Sequence, residues 1–154
     1  MGESRTHGQL VASIVSWVQE TCGVAPGIVL VDSGVTLAGS RPPAIDGYVP
    51  DVYVSRPGCA GFVVGEAKTA RDLERPHSQA QLMAFLAWCA CYEGSVLAVA
   101  VPWHMTRAAR NMVSFLQRKT QTDSVKIVIL DQIAGREVAS VTWNTSKSRY
   151  GAKS

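Results

Sequence analysis

The chain is poor in the features that would mark a membrane protein or a secreted scaffold. No apolar run is long enough to span a bilayer, and the first residues lack a charged-then-apolar leader pattern. The four cysteines, Cys22, Cys59, Cys89 and Cys91, include no C-x-x-C pair, so zinc spacing and a disulfide framework are not expected. Cys89 and Cys91 fall in an apolar helical stretch, where thiols act as small hydrophobes. A soluble, reducing, cytoplasmic setting is the expectation. Glycine-rich phosphate loops, a nucleophile elbow and Cys/His pairing are missing, which argues against several kinds of metabolic enzyme. Zinc-finger and helix-turn-helix modules are missing too, so nothing is present to read a long base sequence. Charge of either sign is modest, and the net +3 permits nucleic-acid binding without demanding it.

What remains is enough to fold. The 154 residues are 47% hydrophobic, with no low-complexity tract, repeat or dividing linker. That suits one domain over 1–143, with 144–154 as a flexible basic tail carrying Lys147, Arg149 and Lys153. Leu10, Ile14, Trp17 and Val18 recur at helical spacing between Gly8 and Glu20, and Gly23 stops the pattern. Gly27–Val31 reads as a strand, and Val35–Leu37 as a continuation of the sheet. Residues 38–43 form a loop carrying Arg41.

Val52–Val54 and Phe62–Val64 are strand-like runs joined by a turn at Ser55–Gly58. Thr69–Arg75 reads as a loop or a broken helical turn. Pro76 then opens a long helix ending near Gly94, with Leu82, Phe85, Leu86, Cys89 and Tyr92 in one stripe. Ser95–Val101 is a strand buried on both faces. Thr106–Thr120 is a helix with Ala109, Met112, Val113 and Leu116 inward, and Val125–Leu130 and Glu137–Trp143 are further strands. Late alternation of strands and helices implies an α/β fold, a mixed sheet with parallel pairings and helices on its faces.

The chemistry concentrates between Val49 and Lys68. Asp51 enters the first strand of the hairpin, and Glu66 and Lys68 end the second. Residues i and i+2 of a strand share a face, so Glu66 and Lys68 point the same way, with Ala67 opposite. Strand pairing would bring Asp51 close to Glu66. Two close carboxylates repel, and a divalent cation of the Mg²⁺ or Mn²⁺ type removes that repulsion through hard oxygen ligands. Charged side chains ending an apolar strand need a partner or a task. The bland alternative is a solvated Glu-x-Lys pair on a surface hairpin. Asp46 is a rival acid, but Gly47 and Tyr48 beside it suggest a turn, which favours Asp51.

Pro50-Asp51 followed by Glu66-Ala67-Lys68 resembles the motif of the PD-(D/E)xK, restriction-endonuclease-like nuclease superfamily. The order helix, three strands, helix, strand, helix, strand is similar to the αβββαβ core of that fold. The resemblance implies Asp51, Glu66 and Lys68 as catalytic residues. It places the metal, Mg²⁺ with Mn²⁺ as substitute, on Asp51, Glu66 and the Ala67 carbonyl, with Lys68 assisting attack on a phosphodiester. Glu20, Gln81 and Gln79 are its accessory candidates. Phe85 stands where some branches carry a Tyr after the Gln at the Gln81 position. Arg41, His104, Arg107 and Arg110 are weaker candidates for nucleic-acid contact, each with a plain surface role as the alternative.

The activity so implied is metal-dependent hydrolysis of DNA by an endonuclease. The structure-selective or junction-resolving, restriction and repair types are not separated. A symmetric homodimer would cut two strands economically. The competing reading is a non-catalytic nucleic-acid-binding or assembly module on the same fold.

Overall fold

Alternation along Gly61–Ala67 sets the layers of the molecule. In the computed structural model, which describes residues 2–23, 28–32, 41–56, 61–131 and 137–141, Val63 and Ala67 face one side of this strand. Val64 faces the other. The elements run α1 (Gly2–Cys22), β1 (Val29–Val31), β2 (Val52–Arg56), β3 (Gly61–Ala67), α2 (Ala70–Leu73), α3 (Pro76–Ala90), β4 (Val96–Ala100), a 3₁₀ turn (Trp103–Met105), α4 (Thr106–Thr120), β5 (Lys126–Leu130) and β6 (Glu137–Val141). The strands form one six-stranded sheet in sequence order. The β1–β2, β2–β3 and β5–β6 pairs are antiparallel, and β3–β4 and β4–β5 are parallel. The fold is therefore α/β with a mixed sheet flanked by helices, as expected from the alternation of elements.

The helices cover both faces because the central strands are apolar on both. Leu10, Ile14, Trp17 and Val18 of α1 pack on Val52, Val54, Val63, Ala98, Ala100 and Val128. The small side chains on this face let α1 lie close. At Gly65 an added Cβ would stand 2.7 Å from Ile14 Cγ2 and 3.0 Å from Val52 Cβ, so only a glycine fits beneath the helix. On the other face, Leu82, Phe85 and Leu86 of α3 and Ala109, Val113 and Leu116 of α4 bury Tyr53, Val64, Leu97, Val99, Ile127 and Ile129. Fully burying a side chain of this size contributes about 1.5–3 kcal/mol.

Several expectations are refined. The first helix begins at Gly2 rather than Gly8 and reaches Cys22. A short helix, α2, occupies part of the 69–75 segment. Tyr92 leaves the α3 stripe, because the helix ends at Ala90 and the following turn carries the ring outward to 45% exposure. Cys89 is buried, and burial pushes its thiol up to about 12, the inert small hydrophobe anticipated. Cys91 is exposed instead, its Sγ donating to the Ala87 carbonyl at 3.3 Å. Cys22 is disulfide-bonded, although nothing in the cysteine spacing suggested a disulfide framework. Spacing along the chain carries no C-x-x-C signal for such a bond, which depends on tertiary approach. The expectations for Val35–Leu37 and for the tail lie outside the described residues. Among the described residues, no helix is long and apolar enough to cross a membrane.

Candidate active site

The register of the β2–β3 hairpin places the charged residues. Val52 pairs with Gly65, so one step further along the antiparallel ladder sets Asp51 opposite Glu66. Asp51 lies in a bend just before β2, where its backbone N–H donates to Glu66 Oε2 at 3.2 Å. Its own Oδ2 accepts from the Ala67 backbone N–H at 2.9 Å. The two carboxylates are thus each bound to the other strand's backbone and held side by side at the strand ends.

Beyond β3 the chain stays pinned to its parallel neighbour. Ala67 pairs with Ala100, and the Lys68 N–H donates to the Ala100 carbonyl at 2.9 Å. Backbone groups of successive strand residues point to opposite sides. With Lys68 directed at β4, the Ala67 N–H and carbonyl are directed at the Asp51 side, as the Ala67 N–H bond to Asp51 requires. The Lys68 side chain lies on the α3 side. Its Nζ sits 3.0 Å from Glu66 Oε1 and donates to Gln81 Oε1 at 2.5 Å. Gln81 is there because α3 starts at Pro76 and reaches the strand end within two turns.

Burial makes this cluster unusual. Asp51, Glu66, Lys68 and Gln81 are exposed by only 9%, 4%, 6% and 8%. Burial raises the Glu66 carboxyl to about 7, the negative charge of Asp51 pushes it the same way, and Lys68 pulls it back only in part. Glu66 therefore titrates near neutrality. A structural ion pair at this position would gain little over well-packed apolar side chains, since desolvating both charges offsets much of their attraction.

His7 joins the cluster from α1, and the sequence reading missed it. Its Nε2 lies 3.2 Å from Asp51 Oδ2, and its pKa is raised, chiefly by that hydrogen bond and against the effect of burial. A signal existed. The stripe Leu10, Ile14, Trp17 extended back by three residues lands on His7, but the expected helix began one residue too late to include it.

The remaining candidates are placed elsewhere or at the rim. Glu20 is exposed in the last turns of α1, thirteen residues and roughly 20 Å of helix beyond His7, so it is not brought to the cluster. Gln79 is half-buried on α3 without a side-chain bond to the cluster. Arg41 is exposed and pairs with Asp32 at 3.1 Å. Asp46 is exposed in a tight turn between Ile45 and Tyr48, with φ of 50° followed by 81° at Gly47. Two successive left-handed residues suit a type I′ turn, and so Asp46 is the turn acid expected. His104, Arg107 and Arg110 are exposed at the start of α4. Tyr48 packs edge-on against His77, one helical turn before Gln81, at 5.4 Å.

The donor set suits a hard divalent cation. It offers two carboxylates, one raised by burial and then by its neighbour's charge, and a backbone carbonyl directed to the same side. Among the described residues no group of three or more His, Cys, Asp or Glu side chains is arranged to hold a metal. A cation here would accordingly draw on two side chains and on backbone or water oxygens. No family of known proteins, no curated protein and no solved structure matches this chain.

Proposed function

We propose that this chain is a metal-dependent DNA endonuclease of the PD-(D/E)xK type, hydrolysing phosphodiester bonds at the Asp51–Glu66–Lys68 cluster. The observation that carries the reading is the burial of two carboxylates and a lysine together at the end of a central strand. Ionisable groups held so far from water, with Glu66 raised to about 7, belong to a site more often than to a scaffold. The order of elements, with one helix and three strands before α3, β4, α4 and β5, supports the same reading.

Asp51, Glu66 and the Ala67 carbonyl would hold Mg²⁺ or Mn²⁺. Once bound, such an ion supplies a more acidic water and screens phosphate charge. The residues of the chain do the rest. His7 and the Ala67 N–H fix Asp51 Oδ2, so the carboxylate needs no reorganisation when substrate arrives. Lys68 uses two of its three N–H groups on Glu66 and Gln81. The third serves the attacking water or a phosphate oxygen, and the fixed ammonium stabilises charge building on phosphorus. Glu66 must be ionised to bind the cation, and so activity rises with pH through about 7.

The test is cleavage of labelled single-stranded, duplex, flap and four-way-junction DNA with Mg²⁺ or Mn²⁺, with Lys68→Ala beside the wild type. Metal-dependent cutting that is lost in the variant supports the reading. Binding without cutting by either protein replaces it with a non-catalytic module.

A further inference from the structure

The chain leaving β4 next to the cluster carries a second set of residues. Because β3 and β4 are parallel, with Ala67 opposite Ala100, both end at the same edge of the sheet. After β4 the chain passes through Pro102 into the Trp103–Met105 turn and then into α4. Trp103 therefore stands at the sheet edge that holds Lys68. Helix α4 packs on the sheet face that Lys68 shares with Gln81 of α3.

The outer side of α4 has a distinctive chemistry. Among the described residues the exposed large hydrophobics are Tyr92, Trp103 and Phe115, and two of these three lie on α4 or on the turn leading into it. Trp103 is 61% exposed and Phe115 52%. Arg107, Asn111, Phe115 and Arg118, all exposed, recur at i, i+4, i+8 and i+11, and so line one stripe, with Arg110 flanking it. The helix carries Arg107, Arg110, Arg118 and Lys119 and not one acidic residue. His104 packs edge-on against Trp103 at 5.6 Å and 77°, steadying the indole while leaving most of it open. Aromatic rings interleaved with arginines, on a helix that itself carries no acid, match the two needs of a single strand. Each base offers a π-face to stack, and each phosphate a charge to neutralise. A paired duplex keeps its bases stacked on one another and uses only the second.

We propose that Trp103, Phe115 and the arginines of α4 form a track for single-stranded DNA leading from the candidate active site, so that the substrate is DNA with unpaired bases. This deepens the nuclease reading and rests on it for the class of substrate. One site suffices to cut a single strand, so the symmetric dimer that duplex cutting calls for is not required.

The experiment is binding in EDTA, by anisotropy of a labelled oligothymidylate and of a duplex of equal length. The full chain is compared with Trp103→Ala, Phe115→Ala and Arg107→Gln/Arg110→Gln. The expected result is tighter binding of the single strand than of the duplex. Each aromatic substitution should weaken the single-strand complex about tenfold. The double arginine variant should lower the salt slope by about 1.4. Both rings are exposed, so an unchanged melting temperature separates these effects from misfolding. Equal or tighter duplex binding, no binding of the oligothymidylate, or aromatic variants that bind like the wild type would each overturn the proposal. Cleavage is not part of the readout. Trp103-dependent binding by a protein that cuts nothing leaves the track standing and removes the nuclease. Cutting with Trp103-independent binding does the reverse.

Discussion

The two ends of β3 solve the same burial problem with opposite chemistry. At its start, Phe62 sits among rings, 5.0 Å from Trp88, 5.1 Å from Tyr92 and 6.1 Å from Tyr53. These edge-on and tilted contacts need no precise partner and tolerate partial exposure. A cavity of about 300 Å³ lies beside them, lined by the 89–95 turn, Ser124 and Val125, and the Ser95 hydroxyl is buried there without a partner. At its finish, a few residues on, Glu66 and Lys68 are as deeply buried as the core. There each contact is directional and each polar atom depends on a neighbour. The apolar end holds the sheet to α3, whereas the polar end is stable only as a set. One strand thus carries an anchor and a candidate site, and α3 spans both, with Gln81 at one end and Trp88 near the other.

The sharpest way to separate the two ends is Lys68→Ala. Removing the ammonium should lower cleavage by about 10²–10³-fold at saturating metal. A melting curve should show the fold retained, because Glu66 can take up a proton in its raised range. Full activity in this variant would place the chemistry elsewhere.

Glu66→Gln tests the polar end by pH. The folded-state carboxyl titrates near 7, well above the ordinary 4.5, so between those values the folded state binds the extra proton. Without metal, stability should fall as pH rises from about 4.5 to about 7, by on the order of a few kcal/mol. The raised pKa of His7 acts in the same direction, its contribution being present at low pH and lost as pH rises through its folded value. Denaturant melts across this range should show the slope in wild type and much less of it in Glu66→Gln. Equal slopes would mean that Glu66 is not the titrating group. Stabilisation by added Mg²⁺ should grow over the same interval, since the cation competes with that proton.

At the apolar end, Trp88→Ala should cost about 2–3 kcal/mol, somewhat less than a fully buried ring, and leave the rate of cleavage per folded molecule unchanged. A rate loss as large as that of Lys68→Ala would show the two ends to be coupled through α3.

The smallest effect is expected midway. Gly65→Ala forces Ile14 and Val52 apart and should cost about 1–2 kcal/mol in a denaturant melt. Adding Ile14→Val, which trims the side chain in the way, should recover part of that loss. No recovery would mean that Val52 of β2 is the obstacle.

Much of this was legible along the chain because its information is local. An apolar run bounded by glycine and proline marks β4, a shorter apolar run marks β5, and the 3.6-residue stripes mark α1, α3 and α4. Side-chain alternation places Glu66 and Lys68 on one face. Asp46 reads as a turn acid for a local reason, the left-handed backbone that Asp46-Gly47 can adopt. The candidates that went astray needed distances the chain does not carry. Glu20 is acidic and lies on the right helix, but at the far end of it. Gln79 and Gln81 look alike in sequence, and only the direction of α3 over β3 decides which one meets Lys68.

The amino-acid sequence by itself determined the elements, the two apolar faces of the central strands and the pairing of an acid with a lysine two residues on. These follow from periodicity and from the fixed geometry of a strand. Tertiary structure decided the rest. It set the hairpin register that puts Asp51 against Glu66 and the approach of α1 that brings in His7. It also set the parallel β3–β4 pairing that carries Trp103 to the same edge as Lys68. Those depend on which surfaces bury one another, and burial is also what raises Glu66 to about 7.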